Sequence, residues 1–471
     1  MLLAGSSEET LQKIHDTALE LVAERGIRFH SETAREIWHG AGADVLDDVV
    51  KIPPDIIMSA LEEAPASFTL HARDGEHSLD LCEGKTYYSQ DGCAALAIDF
   101  ETGERRGTLK SDIEAMALIS DYLDAVDIVS PTVSAQDIPS EALAVHELQA
   151  CFLNSGKHVL TESVTTAEEA EAQIELAAAV AGGRDALKER PILSNFVCTI
   201  SPLTQDAGGI EAALRFVKAG IPVGMYPMAT TGVTSPVTLA GTMAVLNAEV
   251  VSALALLQIA EPGAKVLYAG GPATLDLKTG SYVASSPEAL RLRMMVAEMA
   301  GFYGLPSIVG AGATSAKIPG PQAGWEDALS FLLPSMAGAS VLFGLGLLDG
   351  SNLLRYEEII LEAEAAKMVR RILQSRDFGD EAFALDLIKE LGPGGVYLDQ
   401  QHTVDHMREA LSLTTLSDRD SFEDWYQKGE HSRVEVARER VREILETHEP
   451  APLSENVLQD MNEVVAAYTP S

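Results

Sequence analysis

The chain has 471 residues, 46% hydrophobic and 22% charged, and its 71 acidic residues outnumber 34 basic ones to give a formal net charge of -37. Such acidity reads as solvated surface and argues against nucleic acid or an anionic membrane as partner, since both require basic surface. No run of about 18 uncharged apolar residues occurs, the four cysteines (Cys82, Cys93, Cys151, Cys198) form no Cys-x-x-Cys pair, and no basic-then-apolar leader opens the chain, so the expectation is a cytoplasmic protein without a membrane span or a disulfide framework.

In chain order, residues 8–26 place Leu11, Ile14, Ala18, Leu19, Leu21 and Val22 at helical spacing and stop at a glycine, the pattern of an amphipathic helix with a C-cap. A second helix is predicted over 31–42 and a third over 53–64, the last with proline in its first turn. Short alternating stretches over 67–81 predict a small β element. From residue 87 onward, short apolar strands alternate with helices rich in alanine, leucine and glutamate. The strands are read over 87–91, 128–133, 158–163, 192–197, 223–228, 266–271, 307–312 and 341–346. The helices are read over 111–123, 141–154, 167–181, 210–219, 239–260, 287–303, 322–336 and 356–373. Eight β/α units in succession predict a (β/α)8 TIM barrel, and no Gly-x-Gly-x-x-Gly follows the first strand to favour a doubly wound sheet. Beyond residue 371 the chain becomes more charged, with helices predicted over 380–389 and 402–411 and a long helical region over 421–446. The expected organisation is an N-terminal helical and β extension (1–86), the barrel (87–373) and a C-terminal helical tail (374–471) packed on it.

Catalytic groups of such a barrel lie at the C-terminal ends of its strands. The strand map therefore yields candidates: Tyr88, Gln90 and Asp91; Glu162; Asn195; Tyr226 and Met228; Tyr268 and Gly270; Gly312 and Thr314; Phe343 and Leu345. Tyr88, Tyr226, Tyr268 and Phe343 come from different strands although aromatics make up only 6% of the chain. Converging aromatic faces attract a cation that has no hydrogen to donate. Taken singly, each tyrosine also fits a core position with its hydroxyl tied off. Gly270-Gly271-Pro272 and Gly310-Ala311-Gly312 lack the P-loop pattern and read as an open mouth that a second large body can approach. Glu162 suits a base or the counter-charge of a bound cation. No Ser-His-Asp set or His-Glu-x-x-His string lies at the predicted mouth, and His402 and His406, four residues apart, lack a third ligand nearby, so no metal bound by the chain is expected. A cation cage without proton-transfer groups suggests a displacement in which no proton moves.

The stretch Thr234-Ser-Pro-Val-Thr-Leu-Ala-Gly-Thr242, followed by Asn247-Ala-Glu249, resembles the corresponding stretch of the trimethylamine methyltransferase family. Thr274-Leu-Asp-Leu-Lys-Thr-Gly280 leading to Ser286-Pro-Glu288 is similar to the family's segment after strand six. Ser315-Ala-Lys317 with Gln322-Ala-Gly324 and Glu326 resembles its segment after strand seven, and His402, Thr403, His406, Arg408, Asp418, Arg419 and Trp425 resemble its C-terminal signature. The resemblance implies a barrel whose mouth docks a separate corrinoid protein, and a reaction in which the Co(I) of its cobalamin takes a methyl group from an amine. Founding members of the family carry pyrrolysine in the neighbourhood that here reads 310–317, where this chain has standard residues only. Members without pyrrolysine are implied to use quaternary amines, glycine betaine foremost, with dimethylglycine as the product. A quaternary amine is already a cation with a neutral leaving group, so its displacement needs positioning and desolvation rather than acid catalysis. A substrate carboxylate would meet Lys317, Arg355, His402 or Gln322, with no ranking among them. Two departures from the family pattern are Ala316 and Gly320 at positions expected to be acidic, and the lack of a proline within 413–416.

Two alternatives stand beside this reading. One is demethylation of a larger quaternary amine such as carnitine, γ-butyrobetaine or proline betaine, and the other is a non-catalytic quaternary-amine binding protein on the same scaffold. A barrel lyase or aldolase is disfavoured because no lysine ends a predicted strand. The expected partners are a cognate corrinoid protein, the small amine, and further copies of the chain in a homo-oligomer.

Overall fold

The computed structural model describes residues 5–82, 84–162, 164–374 and 379–470. Residues 1–4 and Ser163, the last residue of the predicted third strand, lie outside that set. Eight parallel strands close into a barrel: β1 (Tyr87–Gln90), β2 (Ile128–Val129), β3 (His158–Thr161), β4 (Leu193–Cys198), β5 (Val223–Tyr226), β6 (Val266–Gly270), β7 (Ser307–Gly310) and β8 (Val341–Leu345). β8 closes the ring on β1, with Val341 beside Tyr87. The surrounding helices are α1 (Lys110–Tyr122), α2 (Leu143–Asn154), α3 (Ala167–Ala181), α4 (Ala207–Lys218), α5 (Leu239–Ala260), α6 (Pro287–Phe302), α7 (Pro321–Met336) and α8 (Tyr356–Leu373). All eight predicted strands and helices are present. Their strands are buried on both faces, one toward the barrel axis and one toward the helix ring, which is why they read as apolar runs without alternation.

The axis-facing side chains form a layer of their own, including Ile128, Leu160, Phe196, Tyr226, Leu267, Ile308 and Phe343. A hairpin of Phe68–Leu70 and Leu79–Leu81 adds Leu70, Leu79 and Leu81 to this layer and stops the N-terminal end of the barrel. Below the layer, His158 faces the His71 carbonyl through Nδ1 and Ser194 Oγ through Nε2, both at 2.8 Å, and burial pushes its imidazole down to about 4. The plug leaves the C-terminal mouth as the open end. Lys157 is buried beside β3 and donates to the carbonyls of Ser120, Leu123 and Val126 at 2.7, 2.9 and 2.7 Å. These carbonyls end α1 and the turn after it, and would otherwise be orphaned.

α5 is long and apolar enough to cross a membrane but lies inside the protein, between the barrel and the N-terminal helices Glu8–Glu24 and Pro54–Leu61. Its polar residues are tied to neighbours. Asn247 accepts from Tyr268 Oη and donates to Tyr303 Oη, both at 2.9 Å, and Glu249 accepts from Ser201 Oγ at 2.8 Å and Leu203 N at 2.9 Å. The N-terminal residues also build a sheet of Ile27–Phe29, Asp44–Leu46, Val49–Lys51 and Thr204–Gln205, whose strands are too short to show alternation in the sequence. The helical region predicted over 421–446 is broken: Gly429 and Glu430 take positive φ, separating Phe422–Gln427 from Arg433–Thr447. Arg433–Thr447 packs on α8 and α1, and a further helix, Glu455–Tyr468, packs on α3 and α2. Between α8 and Arg433, the helices Leu385–Leu391, Gln401–Ala410 and Phe422–Gln427 bury no residue.

Candidate active site

Side chains on each strand alternate between axis and helix ring, so adjacent strand-end residues have opposite fates. Three inward aromatics meet below the mouth. The Phe196 ring stacks on Tyr226 at 4.5 Å and meets Phe343 edge-on at 4.9 Å, with Tyr226 and Phe343 6.2 Å apart. Tyr226 runs up to the mouth, where a Cβ built on Gly310 would lie 2.6 Å from its hydroxyl oxygen and one on Gly271 would also strike it. Glycine at both positions makes room for the phenol.

Four other predicted residues face the helix ring. Tyr88 is fully buried against Phe331 with the Arg370 guanidinium 4.8 Å over its ring. Gln90 donates to Thr132 Oγ1 at 2.8 Å and to the Met116 carbonyl, and accepts from Ser130 N, so its amide is spent on the wall. Asn195 donates to the carbonyl and hydroxyl of Thr161. Tyr268 is tied to Asn247 and stacks on Tyr303. Gly312 has φ +52 and sits against the Gly344 carbonyl at the rim. Gln322 donates to Glu326 at 3.0 Å on α7, Arg355 lies 4.0 Å from Glu357 at the start of α8, and the His402 ring lies tilted against His406, 4.5 Å away, on an exposed helix. The structure thus brings together Glu162, Tyr226 and Phe343, with Gly312 at the rim, and disperses the rest.

Around the inward aromatics lie charged groups. Asp91, one residue past Gln90, is buried, accepts from Gly92 N at 2.9 Å and from Ser351 Oγ, and its carboxyl is pushed up to about 6 by burial. Glu162 follows β3 and presses so closely on Gly92 that any side chain there would collide with its carboxylate. Glu162 Oε1 is shut from water and has no partner among the described residues. Burial first, and then Asp91 and Glu147, hold its carboxyl well above the usual range. Cys198, the register partner of Tyr226, lies next in the ring, and its thiol is raised by burial and then by Glu162. Arg293 reaches the mouth from α6, near Tyr226, Asp91 and the Tyr282 hydroxyl. Sequence reasoning passed over Arg293 and Tyr282 because neither ends a strand. One signal was present: Leu290, Met294 and Ala297 mark a buried stripe on α6, and Arg293 lies on it while Arg291 is exposed.

Behind the rim of β7 and β8, Asp327, Glu358 and Glu362 place carboxylate oxygens within 4.8 Å of one another, the one group among the described residues with metal-ligand spacing. It lies between α7 and α8, and its oxygens Asp327 Oδ1 and Oδ2, Glu358 Oε2 and Glu362 Oε1 have no partner among the described residues.

The model of the trimethylamine methyltransferase family matches residues 3–470. The chain belongs to this family. It is 34% identical over 465 residues to the trimethylamine methyltransferase MttB of Desulfitobacterium hafniense, covering 98% of this chain and 93% of that one. It is 31% identical over 453 residues to a glycine betaine methyltransferase of the same species, covering 96% and 94%. The Methanosarcina barkeri monomethylamine methyltransferase structure superposes with a TM-score of 0.54 at 15% identity, covering 98% of this chain and 87% of that chain, a likeness of fold. As a member of the trimethylamine methyltransferase family, the chain is a methyltransferase.

Proposed function

We propose that this methyltransferase takes one methyl group from a quaternary amine, glycine betaine foremost, and delivers it to the Co(I) of a cognate corrinoid protein, leaving dimethylglycine. The observation that carries the reading is the meeting of Tyr226, Phe196 and Phe343 with the Glu162 carboxylate at the barrel mouth, whose Oε1 has no partner among the described residues. Aromatic faces and a carboxylate suit a cation whose methyl groups donate no ordinary hydrogen bond. Co(I) supplies the electron pair that receives the methyl. The C–N bond breaks, its electron pair stays on nitrogen, and the amine departs neutral, so no protein group has to give or take a proton. The residues present fit such a division of labour. Their work is to fix the ammonium with one methyl turned outward and to exclude water.

The mouth also suits a large partner. Ile200, Met228, Val233, Val237, Leu277 and Ile318, all in loops that follow strands β4 to β7, are exposed apolar side chains. Together they make a rim on which a corrinoid protein can seat, and exposed apolar patches of this kind mark interaction surfaces. The segment 379–428 exposes Phe383, Leu398, Val404, Leu411, Leu413 and Phe422, and its three α-helices bury no residue, which supports a homo-oligomer in which a second copy covers them. Four unpaired cysteines suit a reducing cytoplasm.

A panel of methylated amines mixed with cob(I)alamin tests the assignment. Demethylated product is expected from glycine betaine, and product from trimethylamine alone would overturn it. Two exchanges separate the axis from the helix ring. Tyr226→Leu is expected to weaken quaternary-amine binding about ten-fold through loss of a cation-attracting ring. Tyr268→Phe is expected to leave binding unchanged and to lower unfolding free energy by about 1 kcal/mol through the lost bond to Asn247. Titration calorimetry and a denaturant midpoint read the two effects independently.

A further inference from the structure

We propose that Arg293 anchors a substrate carboxylate, so that the mouth is built for a zwitterion, a quaternary ammonium with a carboxylate a short link away, and not for a bare methylated amine. This rests on the methyl-transfer reading above and narrows its substrate class.

Arg293 is 2% exposed, and both Nε and Nη1 are shut from water without an acceptor among the described residues. A buried guanidinium with two idle donors is costly unless something outside the chain completes it. The Tyr282 hydroxyl engages the guanidinium once, and the nearby acids do not complete the rest. Asp91 is already engaged by Ser351 and Gly92, and both oxygens of Asp327 are themselves unpartnered. The guanidinium stands at the mouth: a Cβ on Gly310, at the end of β7, would lie 3.4 Å from Arg293 Nη2 and 2.6 Å from Tyr226 Oη. Nη2 at the mouth and the idle Nη1 carry parallel N–H groups on a planar fork, which match the two oxygens of a carboxylate.

Opposite signs therefore flank the aromatic trio. Among the described residues, Glu162 Oε1 on the β3 side and Arg293 Nε and Nη1 on the α6 side have no partner. A betaine satisfies both, its ammonium beside Glu162 and its carboxylate on Arg293. A plain trimethylamine or tetramethylammonium leaves the guanidinium unpaired and adds a like charge near it, which counts against that ligand.

The test is titration calorimetry of the full chain with glycine betaine and with tetramethylammonium, for the wild type, Arg293→Gln and Arg293→Lys. The wild type is expected to prefer betaine by about 100-fold, and Arg293→Gln to lose that preference while keeping tetramethylammonium affinity within about three-fold. Arg293→Lys keeps the charge without the fork and is expected to fall between the two. Equal wild-type affinity for both ligands overturns the carboxylate anchor and leaves the quaternary-amine reading standing. Parallel loss of both ligands in Arg293→Gln and Arg293→Lys overturns it in favour of a structural arginine. Binding of neither ligand by the wild type overturns the quaternary-amine reading and the anchor with it.

Discussion

Glutamine in place of Glu162 is expected to raise KM for glycine betaine about 100-fold while leaving kcat unchanged or higher. The carboxylate stands at the mouth beside Asp91 and Cys198, with Oε1 unpartnered among the described residues. Its attraction is for the full positive charge of the bound ammonium. That charge fades as the C–N bond breaks, so Glu162 holds the ground state at least as tightly as the transition state and its loss appears in binding. Burial holds Glu162 well above the usual carboxylate range and pushes Asp91 up to about 6. A bound cation favours the ionised forms, so betaine affinity in the wild type rises with pH and the rise is smaller in Glu162→Gln. Steady-state kinetics at two pH values read both effects. A fall in kcat at unchanged KM would instead make Glu162 a participant in the chemical step.

Asp327→Asn is expected to raise the thermal midpoint by several degrees near pH 8 and to leave it unchanged near pH 4. Burial, reinforced by like charge within the group, holds Asp327 and Glu362 well above their ordinary values, and burial raises Glu358 to about 7. Because the folded values exceed the unfolded ones, the stabilising share is complete below about pH 4 and is lost as pH rises through the folded values. Each pH unit crossed costs up to about 1.4 kcal/mol per site. Asparagine has no proton to lose and removes one site from this cost. A lower midpoint near pH 8 would contradict the argument and would mean that the three carboxylates hold a cation.

The barrel was legible because eight short strand runs, all but the first (Tyr-Tyr-Ser-Gln) carrying β-branched, leucine or glycine residues, alternate with helices at regular intervals, and topology rules leave few ways to connect them. What the runs conceal is which side of each strand faces the axis. In a half-exposed strand polar and apolar residues alternate and mark the faces, but here the axis and the helix ring are both apolar. Hence Tyr226, which ends β5, and Tyr268, in the middle of β6, both follow apolar residues in sequence and face opposite ways. Glu162 was legible as an acidic residue directly after an apolar strand. Arg293 was marked only by its place on the buried stripe of α6, and nothing in the sequence put that stripe at the mouth. The break at Gly429 was hidden for a related reason, since the charged residues on either side of it continue a helical composition.

The central claim is a methyl displacement from a quaternary ammonium, and a single-turnover experiment tests it most directly. The full chain is mixed with cob(I)alamin and methyl-labelled glycine betaine, and dimethylglycine and consumed cob(I)alamin are counted. One dimethylglycine for each cob(I)alamin consumed, with no labelled methanol, is the result expected. A folded chain that binds glycine betaine but yields no dimethylglycine while cob(I)alamin remains reduced would contradict it.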